Sequence, residues 1–193
     1  MTKLIFLSGS TRNGSVNTKL AKYAANHAKQ LGADARLIDL ADFPMPIYNG
    51  DLEEKEGIPE NVLKLRKQFI ECDGFFIASP EYNGSFSALL KNTIDWMSRP
   101  AEEGEKPLIA FGGKVAAISA ASPGGLGGLR GLVPLRMLLG NIGVTVVPSQ
   151  TAIGGAMKVF DDNGDITDER QASMAQNTVK QLVDTATSLK QDK

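Results

Sequence analysis

Residues 4 to 15 read Leu4-Ile5-Phe6-Leu7-Ser8-Gly9-Ser10-Thr11-Arg12-Asn13-Gly14-Ser15. Four consecutive apolar residues without polar alternation are typical of a parallel strand that is buried on both faces. A polar turn follows, and apolar residues then recur at helical spacing from Leu20 to Leu31, before the stop signal Gly32. A buried strand, a polar turn and an amphipathic helix in this order indicate the first unit of a parallel α/β sheet.

The same alternation continues along the chain. Apolar runs of strand length recur at residues 35–38, 74–78, 114–119 and 143–147. Apolar stripes at helical spacing lie between and after them, at residues 62–70, 86–97, 129–140 and from about Thr167 to Leu189. We therefore predict a single domain over residues 1–193. By analogy it is a flavodoxin-like three-layer α/β sandwich, with a five-stranded parallel sheet of order 2-1-3-4-5 and helices on both faces.

Composition excludes several classes of protein. With 42% apolar and 22% charged residues the chain is typical of a folded globular protein, and its net charge of −1 offers no basic surface for nucleic acid. One cysteine and one histidine exclude an internal disulfide and a thiolate or imidazole metal cage. The short apolar run at Leu4–Leu7 is too brief for a signal peptide or a membrane span, so we predict a cytoplasmic protein without a membrane partner.

Two stretches lack a clear pattern. Residues 39–59 are rich in proline, glycine and acidic residues, and residues 99–113 are similarly irregular. Loops of this length in a compact domain are commonly functional or mobile. Each is interpreted either as a wall of an active site or as an inert surface excursion.

The turn after the first strand is a candidate anion site. Its donors are a guanidinium, hydroxyls and an amide next to a helix start, where free N–H groups and the helix dipole attract phosphate. An ordinary helix cap by Ser15 or Asn17 is the alternative. Neither the Walker pattern nor G-x-G-x-x-G occurs, which favours a compact terminal phosphate such as that of FMN over a nucleoside triphosphate or a dinucleotide. The candidate residues are Ser10, Arg12, Ser15, Asn17 and Thr18.

A second polar turn, Ser79-Pro80-Glu81-Tyr82-Asn83-Gly84-Ser85, follows the third strand. In the predicted order this strand is next to the first, so both turns lie at the carboxyl edge of the sheet, where open α/β sheets bind ligands. The backbone of this loop can offer N–H and C=O groups to a flat ring, and Tyr82 an aromatic surface. The alternative is a plain turn capped by Ser85.

Three separated motifs resemble those of the NADPH-dependent FMN reductase family, which includes small quinone, azo-dye and chromate reductases. The resemblance covers about residues 3 to 150. One departure is Ser87-Ala88, which stands where many members begin a helix with Pro-Gly. The motifs are Gly9–Asn17, then Ser79–Ser85 running on to Leu90-Lys91-Asn92-Thr93-Ile94-Asp95-Trp96, and finally Ser122-Pro123-Gly124-Gly125-Leu126-Gly127-Gly128-Leu129-Arg130.

The resemblance implies an enzyme that binds FMN and takes hydride from NADPH or NADH. In a ping-pong cycle the electrons then pass to a small-molecule acceptor: a quinone, an azo dye, a metal oxyanion or free flavin. It implies no catalytic side chain, no metal, and a homodimer or tetramer. The family's phosphate loop falls on the five residues named above, its ring loop on Pro80, Glu81, Tyr82, Asn83 and Gly84, and its strand-four loop on Ser119, Ser122 and Gly124.

Two other functions remain open from the sequence. A flavodoxin-type electron carrier would bind FMN without NAD(P)H activity of its own. Such carriers are usually acidic, and a net charge of −1 argues against this class. A regulatory domain that has kept the fold and the ligand pocket is the third alternative, because a fold does not imply a function.

Overall fold

The computed structural model describes residues 1–190. Its strands form one parallel sheet, in which the first five have the predicted order 2-1-3-4-5. The first and third strands pair from Leu4 with Gly74 to Ser8 with Ala78, so their carboxyl ends lie at the same edge of the sheet. The strands are β1 (Lys3–Ser8), β2 (Asp34–Ile38), β3 (Gly74–Ala78), β4 (Val115–Ala121), β5 (Thr145–Val146) and β6 (Thr151–Ile153).

Helices cover both faces of the sheet, which confirms the three-layer architecture. One buried cluster lies between the sheet and the first and last helices. The other lies between the opposite face of the sheet and the third, fourth and fifth helices. None of the helices within residues 1–190 is long and apolar enough to cross a membrane. The helices are α1 (Val16–Gln30), α2 (Gly50–Glu56), α3 (Glu60–Glu71), α4 (Ala88–Met97), α5 (Leu129–Asn141) and α6 (Glu169–Ser188).

The fifth strand differs from the prediction because it is split into two segments. β5 pairs with the start of β4, and β6, which the sequence pattern does not reveal, pairs with its end. Between them, the guanidinium of Arg136 donates to the carbonyls of Val146 and Val147, at 3.3 and 2.9 Å. Pro148 has no N–H for a sheet ladder, so the side chain of Arg136 satisfies backbone groups that a continuous strand would pair.

The predicted irregular stretch 39–59 contains a 3₁₀ turn at Leu40–Asp42 and the helix α2. Its central part is attached to α4 by hydrogen bonds. The Pro46 carbonyl accepts from the side-chain amide of Asn92 and from the Trp96 indole, both at 2.8 Å, and Asn92 Oδ1 accepts from the N–H of Tyr48. These hydrogen bonds give Asn92 and Trp96 of the Leu90–Trp96 motif a structural role. They hold the central part of the 39–59 stretch against α4.

The second irregular stretch, 99–113, is attached to α3 by a buried ion pair. The Glu105 carboxylate accepts from both terminal nitrogens of Arg66, whose side chain is 5% exposed, and from the N–H of Ala101 at 2.7 Å. These hydrogen bonds, first those from Arg66 and then that from Ala101, hold the pKa of Glu105 below its usual value.

We expect Glu105→Gln to lower the free energy of unfolding at about pH 7 by about 2–3 kcal/mol, because Arg66 then keeps a buried charge without its counter-charge. Since the folded-state pKa of Glu105 is lowered, its stabilisation is present above the ordinary glutamate value of about 4.3 and is lost as the pH falls through the lowered pKa. Urea unfolding should show the gap between wild type and variant closing toward about pH 3. An equal gap at both pH values would contradict this account.

Candidate functional site

A cleft of about 170 Å³ lies at the carboxyl edge of the sheet, between the loops that follow β1, β3 and β4. The first two predicted loops therefore meet at one cleft. Of the predicted site residues, Ser10, Arg12, Ser15, Asn17, Pro80, Tyr82 and Ser122 line it, whereas Thr18, Glu81, Asn83, Gly84, Ser119 and Gly124 are not among the lining residues.

The amino end of α1 supplies the donors of the cleft. Ser15 caps the helix by accepting from the N–H of Thr18 at 3.4 Å, and the N–H groups of Val16 and Asn17 have no acceptor within the helix. The guanidinium of Arg12 is exposed and has no hydrogen-bond or ion-pair partner within residues 1–190. N–H groups, hydroxyls and one cation, with no carboxylate among the lining residues, are the donor set that a phosphate requires.

The hydroxyls of this loop mainly shape its backbone. Ser8 Oγ accepts from the N–H of Ser10 at 3.1 Å, and Ser10 Oγ accepts from the N–H of Arg12 at 3.3 Å. Thr18 donates its hydroxyl to the Ser10 carbonyl at 3.5 Å. Thr18 therefore supports the loop through this hydrogen bond, and its contact with a ligand stays a prediction.

The side chain of Asn17 is already paired. Its amide nitrogen donates to the Ala121 carbonyl and its amide oxygen accepts from the Ala121 N–H, both at 2.9 Å. Asn17 is 3% exposed, so this two-way pair joins α1 rigidly to the end of β4. At this position the backbone N–H, and not the side chain, is left for an anion.

The loop after β3 is a tight hairpin turn. The N–H of Tyr82 donates to the Ser85 carbonyl at 2.8 Å and the reverse bond is 3.1 Å, while Asn83 and Gly84 have φ of 53° and 80°. Two consecutive residues with positive φ form the type of turn that Asn-Gly favours. The N–H groups of Asn83 and Gly84 donate no hydrogen bond within residues 1–190.

Ser87, and not Ser85, caps α4. Its hydroxyl accepts from the N–H of Leu90 at 3.2 Å and donates to the Gly9 carbonyl at 2.6 Å. A Cβ added to Gly9 would lie 3.0 Å from the Ser87 hydroxyl, so the loop after β1 packs directly on this cap. At the position of the departure from Pro-Gly, the Ser87 side chain thus links the loop after β1 to the start of α4.

The predicted strand-four residues Ser119, Ser122 and Gly124 do not all line the cleft. Ser122 lines the cleft, and its hydroxyl accepts from the N–H of Gly124 at 3.3 Å. Ser119 lies inside β4 with no exposed surface, and its hydroxyl has no partner within residues 1–190. A direct contact from Ser119 to a ligand would require a path through the packed sheet.

Met157 completes the cleft and was not predicted. It belongs to the turn after β6, lines the cleft and is 69% exposed. Backbone packing fixes this turn against the loop after β4, because a Cβ on Gly154 would lie 2.6 Å from the Gly125 carbonyl oxygen. The glycine pair Gly154-Gly155 was the available signal, but it follows a strand that the sequence pattern does not reveal.

A larger groove, of about 560 Å³, lies at the opposite edge of the sheet. At this edge the ammonium of Lys114 donates to the carbonyls of Ile70 and Cys72, at the end of α3. Lysines near the ends of helices satisfy carbonyls that the helix leaves unpaired. None of the predicted site residues lines this groove, so size alone does not mark the functional site.

Comparisons with known proteins identify one family. The family model for NADPH-dependent FMN reductase matches residues 2–158. An NAD(P)H-dependent FMN reductase of Pseudomonas aeruginosa is 35% identical over 93% of this chain and 92% of its own length. A quinone reductase of Escherichia coli is 34% identical over 86% of each chain.

A solved structure gives the same result. FerB of Paracoccus denitrificans, a flavoenzyme NAD(P)H:(acceptor) oxidoreductase, is similar with a TM-score of 0.82 and 29% identity, over 97% of this chain and 98% of its own. The matches confirm the predicted resemblance, and with it the FMN cofactor and the NAD(P)H-dependent reductase class. The chain belongs to the NADPH-dependent FMN reductase family.

Proposed function

We propose that this protein is an FMN-dependent NAD(P)H oxidoreductase with a ping-pong cycle. Bound FMN would supply the redox chemistry, accepting hydride from NADPH or NADH and passing it to a quinone, an azo dye, a metal oxyanion or free flavin. One observation carries the proposal: the amino end of α1, with unpaired Arg12, and the loop after β3, through Pro80 and Tyr82, line one cleft. An anion site and a ring-binding loop side by side match the two ends of a flavin mononucleotide.

The side chains bind and orient, and none acts as a nucleophile. Arg12 and the N–H groups of Val16 and Asn17 would hold the phosphate, and the N–H groups of Asn83 and Gly84 would contact the edge of the ring. Fixed N–H dipoles directed at a group that gains negative charge stabilise the charged form. Tyr82, 56% exposed, leaves an aromatic surface at the cleft for a planar partner.

The test uses the purified chain reconstituted with FMN. Anaerobic NADPH should bleach the flavin absorbance in a stopped-flow experiment without any partner reductase, and added quinone should restore it. Parallel lines in double-reciprocal plots with two varied substrates would support the ping-pong order. A protein that takes up no FMN contradicts the proposal, and slow reduction by both nicotinamides identifies the electron-carrier alternative.

We also propose that the protein works as a homodimer or tetramer, in the cytosol, as one domain over residues 1–193. The support for assembly is an apolar stripe on α5. Leu129, Val133 and Met137, spaced four residues apart, are 42%, 67% and 64% exposed, and Leu126, in the loop before the helix, is 59% exposed. Leu132, Leu135 and Leu139, on the other face of α5, are buried. An exposed apolar row of this kind marks an interaction surface.

Val133→Asp is expected to convert the assembly to monomers, because it would bury an unpaired carboxylate at the centre of the stripe. Light scattering after size exclusion measures the mass directly. Leu63→Asp, at an exposed position on α3, is the matched control and should keep the wild-type mass. A Val133→Asp protein with the wild-type mass would exclude this surface as the interface.

A further inference from the structure

Glu81 lies in the ring loop, yet its carboxylate is turned away from the cleft toward α5. Its side chain is 8% exposed. One carboxylate oxygen accepts from the N–H of Arg130 at 3.1 Å, and the other accepts from Arg130 Nε at 2.7 Å and pairs with Nη2 at 2.6 Å. The side chain of Glu81 is therefore bound by a single residue at the start of α5, 49 positions later in the chain.

The first turn of α5 needs such a partner. Its cap residue is Gly128, with φ of 87°, and no side chain at that position caps the helix. The first N–H groups of a helix have no acceptor within it, and the dipole favours negative charge at this end. Glu81 supplies both an acceptor and a charge from a different loop, and so acts as the cap that Gly128 cannot provide.

The loop after β3 and the first turn of α5 pack closely at two glycines. A Cβ added to Gly131 would lie 3.1 Å from the Ser85 carbonyl oxygen and 3.4 Å from Glu81 Cβ. A Cβ added to Gly128 would lie 2.8 Å from that of Ala120. The base of the hairpin Tyr82–Ser85 therefore rests on the first turn of α5, and Glu81 bonds the two together.

We propose that Glu81 is a positioning residue, whose carboxylate caps α5 and thereby holds the hairpin Tyr82–Ser85 in the conformation that receives the flavin ring. The inference rests on the proposed function, because the ligand it concerns is FMN. Arg130, whose side chain is 69% exposed, neutralises the carboxylate and keeps it oriented. The backbone of the hairpin contacts the ligand, while the Glu81 side chain acts through α5.

The test measures FMN affinity by quenching of flavin fluorescence and measures amide hydrogen exchange in the FMN-free protein. Glu81→Ala should weaken FMN binding about tenfold and speed exchange at the N–H groups of Tyr82, Ser85 and Arg130. Glu81→Gln keeps one acceptor for the Arg130 N–H, and Arg130→Ala keeps that N–H itself. Both variants should show smaller losses, of about threefold. If Glu81→Ala does not fold, Glu81→Gln and Arg130→Ala still test the inference.

Glu105→Ala is the matched control. Glu105 also pairs with an arginine and accepts a backbone N–H, but it lies on the 99–113 stretch and does not line the cleft. It should lower thermal stability and leave FMN affinity and exchange at residues 82–85 unchanged. The inference fails if Glu105→Ala weakens FMN binding as much as Glu81→Ala, or if Glu81→Gln and Arg130→Ala both retain wild-type affinity and exchange. Failure of wild type to bind FMN would instead reject the proposed function.

Discussion

Replacing Arg12 with alanine is expected to weaken FMN binding by about 1.5–3 kcal/mol, the usual value of a hydrogen bond to a charged group. The guanidinium is exposed, unpaired within residues 1–190 and located at the amino end of α1, so nothing in the described structure compensates for its loss. Equilibrium dialysis of the purified protein against FMN measures the change, which corresponds to a dissociation constant raised about 10- to 150-fold.

Two further measurements separate a phosphate contact from general electrostatics. Arg36→Ala removes an exposed arginine that lies outside the cleft, and it should leave the dissociation constant unchanged. Riboflavin, which lacks the phosphate, should bind wild type and Arg12→Ala equally. Equal FMN affinity of wild type and Arg12→Ala would mean that the loop after β1 does not bind the phosphate through this side chain.

Trp96→Ala is expected to lower the free energy of unfolding by about 3–5 kcal/mol, the usual cost of deleting a large buried aromatic side chain. Trp96 has no exposed surface, packs edge-on against Tyr48 with ring centroids 5.0 Å apart, and donates to the Pro46 carbonyl at 2.8 Å. Because Trp96 is the only tryptophan, urea unfolding is best followed by circular dichroism.

The conservative variant separates the contribution of the indole hydrogen bond to stability from that of ring packing. Trp96→Phe keeps most of the ring volume and removes only the indole N–H, so we expect a loss of about 1 kcal/mol. Both variants should speed hydrogen exchange in the segment 44–49, which Trp96 and Asn92 attach to α4. A loss below about 1 kcal/mol for Trp96→Ala would show that the site collapses around the cavity or that this attachment contributes little.

Local patterns were sufficient for most strands and helices along the chain, but not for α2 and β6. Apolar runs such as Phe75-Phe76-Ile77 predicted buried strands, because a strand covered on both faces has no polar alternation. The Asn83-Gly84 pair predicted a turn for a local reason too, since both residues tolerate positive φ. The pattern was less informative on α5, where apolar residues occupy two faces and only one faces the sheet.

The sequence alone predicted a phosphate-type site in the turn between β1 and α1, and the structure brings this turn and the loop after β3 to one cleft. Buried runs and turn residues depend on near neighbours in the chain. Only the tertiary structure decided which polar side chains remain free for a ligand. Arg12 keeps its charge available, while Asn17 is bound by Ala121 and Glu81 by Arg130, partners 104 and 49 positions away. The physical reason is that a polar side chain forms hydrogen bonds with the groups that the fold brings next to it. Sequence spacing does not show which distant residue that partner is.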